Sequence, residues 1–145
     1  MILNQVNTLG YGSVGLMNRI MKLYPSMFDE YHELCGWFKD YKHQDELIGR
    51  FQAIPFPNSK HILCNAFYQR FFSDTKFEII VDAWEKIIRK VISQIRKNYK
   101  KTGILYEIHC PFKIGVGMKA DEIQLLKDVI DTYFTDSDIK FFYHF

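Results

Sequence analysis

The sequence predicts an α/β fold in which helices cover both faces of one sheet, within a single domain over residues 1–145. Three observations carry that expectation. Short apolar runs alternate along the chain with longer segments of helical period. The runs are nearly continuous in apolar residues, as strands buried on both faces are. Two glycine-rich loops, at 10–15 and 115–117, each leave a predicted strand and lead into a predicted helix.

Taken in order, "MILNQV" (1–6) reads as the opening strand. A helix follows over 13–25, where Leu16, Ile20 and Leu23 recur at helical spacing with Met17 beside them, and Pro25 ends it. Ser26 is the expected N-cap of a second helix, with Asp29 in the acidic position of a capping box. That helix carries Met27, Phe28, Tyr31, Leu34 and Cys35 and runs to about Trp37. Residues 39–46 read as a loop or short irregular helix. "RFQAIPF" (50–56) is a strand stopped by Pro55 and Pro57. "HILCNAF" (61–67) is a buried strand, and 68–76 an irregular loop.

The longest helix spans about 77–101, with a broad apolar face from Ile80 through Trp84, Ile88 and Val91 to Ile95 and Tyr99. Lys86, Arg89, Lys90, Arg96, Lys97, Lys100 and Lys101 crowd the other face, which reads by default as solvated and suited to the helix dipole. Gly103 ends it. A strand at 104–111, a helix at about 121–134 and a strand at 138–145 close the chain.

The composition is 48% apolar and 25% charged, ordinary for a globular chain long enough to close a core. Aromatic residues reach 17%, which furnishes a core and rim of large rings or a site that stacks a planar ligand. A net charge of +2 does not by itself imply a nucleic-acid partner. Cys35, Cys64 and Cys110 form no CxxC pair and read as reduced, mostly buried thiols of a cytoplasmic protein. No apolar run approaches the ~20 residues of a membrane span. Asn4, Gln5, Asn7 and Thr8 interrupt any signal-peptide pattern.

In open α/β sheets, ligands sit beyond the C-terminal strand ends, so the two glycine loops share one rim. Glycine lets a backbone approach an oxyanion, and a helix starting near Ser13 aims its N–H groups there. The alternative for each loop is a plain turn.

Residues 5–35, "QVNTLGYGSVGLMNRIMKLYPSMFDEYHELC", resemble the first phosphate-loop region of macrodomains. In that family an Asn closes a strand, and a glycine-rich loop, an apolar helix ending in "YP" and a helix ending in Cys follow. "LCNAFYQ" (63–69) is similar to a later strand of the family, and residues 108–145 to its C-terminal third. Each motif alone is weak; three in order are fairly specific.

The resemblance implies a three-layer α/β/α sandwich around a mixed, mostly parallel sheet that binds ADP-ribose or a derivative. By residue match, Asn7 would approach the distal ribose. Gly10, Tyr11, Gly12, Ser13, Val14, Gly15 and Leu16 would lie over the diphosphate and that ribose. Ile114, Gly115, Val116, Gly117 and Met118 would form the second phosphate loop, and Asn65, Phe67 and Gln69 would border the ligand.

Three features depart from the family pattern. The family begins with a further strand and a Gly-Asp pair that reads adenine; this sequence starts at the next strand, from a truncated start or because adenine is recognised otherwise, for example by aromatic stacking. Ser13 stands where the first loop usually has Gly. Tyr68 and Lys119 stand near the Lys and Asp of the hydrolase branch, so that covalent mechanism does not carry over.

The remaining catalytic candidates are Asn7, to orient a water, and Asp121 or Glu122 as a general base; the two acids also read as dipole-favoured residues of a helix start. His109 reads as a core or edge histidine near the rim, and His32, His43, His61 and His144 show no metal spacing. No metal and no cofactor are expected.

The leading expectation is an ADP-ribose binder, with hydrolysis of an ADP-ribose phosphomonoester or an ADP-ribosyl linkage as the activity it could host. The alternative is a degenerate macrodomain of phage origin acting as a structural or protein-interaction module, with a second copy covering the sheet edge. A nucleic-acid binder working through the basic helix is the third reading, and the small net charge argues against it.

Overall fold

The computed structural model describes residues 1–12, 15–70, 75–111 and 118–144. Its elements are β1 (Ile2–Asn7), α1 (Gly15–Leu23), α2 (Pro25–Tyr41), a 3-10 turn (Gln44–Leu47), β2 (Arg50–Pro55), β3 (Ile62–Gln69), α3 (Phe77–Thr102), β4 (Ile108–Pro111), α4 (Ala120–Thr132) and β5 (Phe141–His144). The sheet runs β2-β3-β1-β4-β5. β1 is parallel to β3 and β4, and β4 to β5; β2 alone pairs antiparallel, with β3. The expected mixed, mostly parallel sheet is what the chain builds.

Strand alternation divides the interior into two cores. On one face Val6, Leu63 and Phe67 meet Met17, Ile20, Met27, Tyr31 and Cys35 from α1 and α2. On the other, Leu3, Cys64, Ala66, Ile108 and Cys110 meet Trp84, Ile88, Val91 and Ile95 of α3 and Leu126 and Ile130 of α4. All three thiols are buried and free, and burial pushes each up to about 12.

Several boundaries differ from the sequence reading. α2 starts at Pro25, with Tyr24 rather than Ser26 at the N-cap and no side-chain cap bond. Proline's fixed φ suits the first helical turn, so the residue that ends α1 also begins α2. α2 continues to Tyr41, and a 3-10 turn with His43 as N-cap occupies the rest of the polar stretch. β3 extends to Gln69.

β4 and β5 are shorter than expected. β1 begins at Ile2, opposite His109, so residues 104–107 run past the end of the sheet. There the amino group of Met1 donates to the Glu107 carbonyl at 2.7 Å. The same limit applies to β5, whose first pairing is Phe141 with Ile108.

Candidate functional site: a cleft between the first and fourth strands

β1 lies fully against β3, from Ile2 with Leu63 to Asn7 with Gln69. Against β4 it makes one pairing, Ile2 with His109. Pro111, two residues on, has no N–H with which to continue the ladder. The chain leaves β1 toward β2 on one side of the sheet and leaves β4 toward β5 on the other. The two strands therefore flank the topological switch point, where open α/β sheets form their ligand crevice.

A cleft of about 1120 Å³ occupies that gap. Asn4, Val6 and Asn7 of β1, with Tyr11 and Gly15 to Met17, form one wall. Residues 104–107, His109, Pro111 and His144 form the other. It stays open because the α1/α2 core draws on β1, β2 and β3 and on no described residue of β4 or β5. Among the described lining residues, Lys60 is the one Lys or Arg and Glu107 the one Asp or Glu. The start of α1, at the loop end of the cleft, holds no acidic residue in its first turn.

The first loop is fixed from beneath by its own sequence. The Asn7 side-chain oxygen accepts from the N–H groups of Leu9 and Tyr11, at 2.9 and 3.3 Å, and its amide donates to the Tyr11 carbonyl at 3.1 Å. The Tyr31 hydroxyl donates to the Asn7 oxygens, and His32 Nδ1 lies 3.1 Å from the Gly10 carbonyl. These contacts hold loop carbonyls toward α2.

Gly10 has φ +79°, and a Cβ there would come within 3.1 Å of His32 and 3.2 Å of Cys35. Gly12 is needed for closeness: a Cβ would meet Phe28 at 2.6 Å and Met17 at 2.9 Å. The glycines thus let the loop sit tightly on α2 while Tyr11 stays exposed at its tip.

The structure brings Asn7, Tyr11, Gly15, Leu16 and Gln69 together in the cleft lining, with Gly10 and Gly12 in the same loop. Ser13, Val14, Ile114, Gly115, Val116 and Gly117 lie outside the described residues. Asn65, Phe67, Met118 and Asp121 are not among the lining residues. Phe67 is buried against Tyr31, their ring centres 6.1 Å apart.

Asn65, also buried, sits in a row of amides across three strands. Asn4 donates to Asn65 at 3.0 Å, Asn65 to Gln52 at 3.2 Å, and Gln52 to the Glu30 carbonyl of α2 at 3.1 Å. The register sets the three side by side.

Met118 packs on the α3/α4 core. Asp121 is exposed in the first turn of α4, beside Glu122, whose carboxylate accepts from the Lys119 N–H at 3.0 Å. Sequence reasoning missed residues 104–107 and the His109–His144 pair on the far wall, and Lys60 and His61 at its foot.

The macrodomain of Thermus aquaticus DarG superposes with a TM-score of 0.71 at 15% identity, over 99% of this chain and 87% of that one. The fold is that of a macrodomain. A macrodomain protein from Streptomyces coelicolor gives 0.67 at 19% identity, over 100% of this chain and 87% of its own. Thermosipho africanus DarTG, a structure in complex with ADP-ribose, gives 0.68 at 18% identity, over 98% of this chain and 36% of the longer one. No protein-family profile matches the sequence, and no curated protein does. The macrodomain likeness is therefore one of backbone, as the expected sandwich required.

Proposed function

We propose that this single domain binds ADP-ribose or a close derivative in the β1/β4 cleft, with the diphosphate against the 10–16 loop and the start of α1. The observation that carries the proposal is the coincidence of three features. The cleft lies at the switch point, it is large enough for a dinucleotide-sized ligand, and one wall is a glycine loop leading into a helix free of acidic residues in its first turn. The ADP-ribose complex of the Thermosipho africanus relative supports the choice of ligand. The cleft also leaves room for hydrolysis of an ADP-ribose phosphomonoester, with backbone N–H groups stabilising developing charge.

Calorimetric titration with ADP-ribose, with AMP and ribose 5-phosphate as controls, tests this reading. A dissociation constant near ~1 μM, about −8 kcal/mol, is expected. Leu16→Glu sets a carboxylate in the lining at the start of α1, where the dipole favours it for folding but a diphosphate is repelled. It should abolish the heat, while Leu16→Gln, which gives up the same packing against the α1/α2 core without adding a charge, should keep most of it. Absence of heat from the parent protein up to about 1 mM ligand, weaker than −4.1 kcal/mol, would overturn the proposal.

A further inference from the structure

α3 divides its charge along its length. Its acids, Glu78, Asp82 and Glu85, all lie before Lys86; from Lys86 to Lys101 it carries seven Lys or Arg and no acid. The whole chain stands at +2, so taking away these seven cations leaves −5 on the remainder. The small net charge therefore hides one basic surface on an otherwise acidic molecule.

Ordinary helix electrostatics account for part of that surface. Lys86 pairs with Asp82 at 2.6 Å, and Lys90 donates to the Gly49 carbonyl at 3.2 Å. Lys100 and Lys101 stand in the last turn, where the dipole favours cations. The dipole fades within that turn, and no acid of α3 stands within one turn of Arg96 or Lys97.

Arg89, Ser93, Arg96, Lys97 and Lys100 of α3, with Tyr133 at the end of α4, line a groove of about 540 Å³ away from the β1/β4 cleft. No described residue lining it is acidic. Tyr133 steadies Arg89 from the far wall: its hydroxyl accepts from two guanidinium N–H groups, at 3.0 and 3.1 Å, and donates to Glu85 at 3.1 Å. Arg96 reaches Asp138 at 3.4 Å. Lys97 and Lys100 make no ion pair or hydrogen bond with a described residue.

Positions 89, 93, 96 and 97, and 100 fall on one face of α3, about one turn of ~5.4 Å apart, over roughly 16 Å. A row at that pitch can follow successive phosphates of an extended strand. Tyr99, 47% exposed, stands seven residues after the groove residue Ile92, on the same side of the helix, and offers its ring to a base. An acidic helix would present charges at a similar pitch, but Ile92 is the one aliphatic side chain among the described lining residues, too little to seat an apolar anchor. Guanidinium forks, a serine hydroxyl and an exposed ring are the set that holds phosphate and base.

We propose that this groove binds single-stranded nucleic acid along its sugar–phosphate backbone, without sequence preference. The surface is separate from the β1/β4 cleft and independent of what that cleft holds.

The test titrates the full chain into a fluorescein-labelled oligothymidylate of about twelve nucleotides and reads anisotropy across salt. A dissociation constant of about 1–100 μM near 0.15 M salt is expected. With about four phosphates neutralised, log K should fall against log salt with a slope of about −3, a loss of about fiftyfold between 50 and 200 mM. Lys97→Gln with Lys100→Gln removes two cations that hold no described residue, and should halve the slope. Lys22→Gln with Lys39→Gln makes the same charge change on α1 and α2 and should leave the slope as it was. Tyr99→Ala should weaken binding about fivefold or more at an unchanged slope.

Equal losses from the two lysine pairs, or no anisotropy change up to about 0.3 mM protein at 50 mM salt, overturn the groove as a nucleic-acid surface. Displacement of the strand by ADP-ribose overturns it too, because the strand would then sit in the cleft. Displacement by polyglutamate at equal charge does the same, since the surface would then serve an acidic protein.

Discussion

The hydroxyl of Tyr31 lies 2.9 Å from the main-chain oxygen of Asn7 and 3.1 Å from its side-chain oxygen, joining the middle of α2 to the last residue of β1. Burial holds the phenol protonated far above its ordinary range, so it remains a donor at any working pH. Tyr31→Phe keeps the ring against Phe67 and deletes the bond. Leaving a buried acceptor unmet costs about 1–3 kcal/mol, which urea denaturation will read. ADP-ribose affinity should fall too, because Asn7 also organises Leu9 and Tyr11.

Gly12 and Gly15 serve the same loop for different reasons, and alanine separates them. At Gly12 the new Cβ collides with Phe28, so Gly12→Ala should cost about 1–3 kcal/mol by overpacking. Phe28→Leu in the same chain should relieve part of that. At Gly15 a Cβ meets nothing within 4 Å, but φ is +65°. Gly15→Ala should therefore cost about 1–2 kcal/mol for its left-handed backbone, and Phe28→Leu should not relieve it.

The amide row from Asn4 through Asn65 to Gln52 is buried at its centre, where Asn65 has no exposed surface. Asn65→Ala strands the Asn4 amide and the Gln52 oxygen together and should lower stability by about 2–4 kcal/mol, at one buried group or more of about 1–3 kcal/mol each. A double-mutant cycle of Asn4→Ala and Asn65→Ala in urea should return a coupling of about 0.5–3 kcal/mol, as for directly bonded neighbours.

The three thiols give a pH dependence whose sign is fixed by burial. Each is raised from an ordinary value of 9.0 to about 12, so the unfolded chain loses these protons first. Their contribution to stability is complete below about pH 9 and is lost as pH rises toward 12. Native protein at pH 8 should give no reaction with a thiol reagent, and denatured protein should give three equivalents.

Much of this fold was legible from apolar patterning. The helical faces of α1 and α3 and the buried runs of β1 and β3 emerge as the sequence shows them, because each element buries its own apolar stripe. What pairing decides was not legible. Residues 104–107 are as apolar as a strand, yet they run past the start of β1 and line the cleft instead. Asn65 and Gln69 differ by four positions on one strand; the first is covered by its amide neighbours and the second reaches the cleft. His109 and His144 stand 35 residues apart, and only the β4/β5 register joins them. The glycine loop was readable because glycine's backbone freedom is written in the residue itself.

The most direct measurement is a crystal structure with ADP-ribose soaked or co-crystallised. The account predicts the diphosphate against Gly10 to Leu16, the distal ribose beside Asn7, and the remainder of the ligand along the cleft between β1 and β4. A ligand seated anywhere else, such as the basic groove of Arg89, Arg96, Lys97 and Lys100 beside Tyr133 on the opposite side of the sheet, would contradict it.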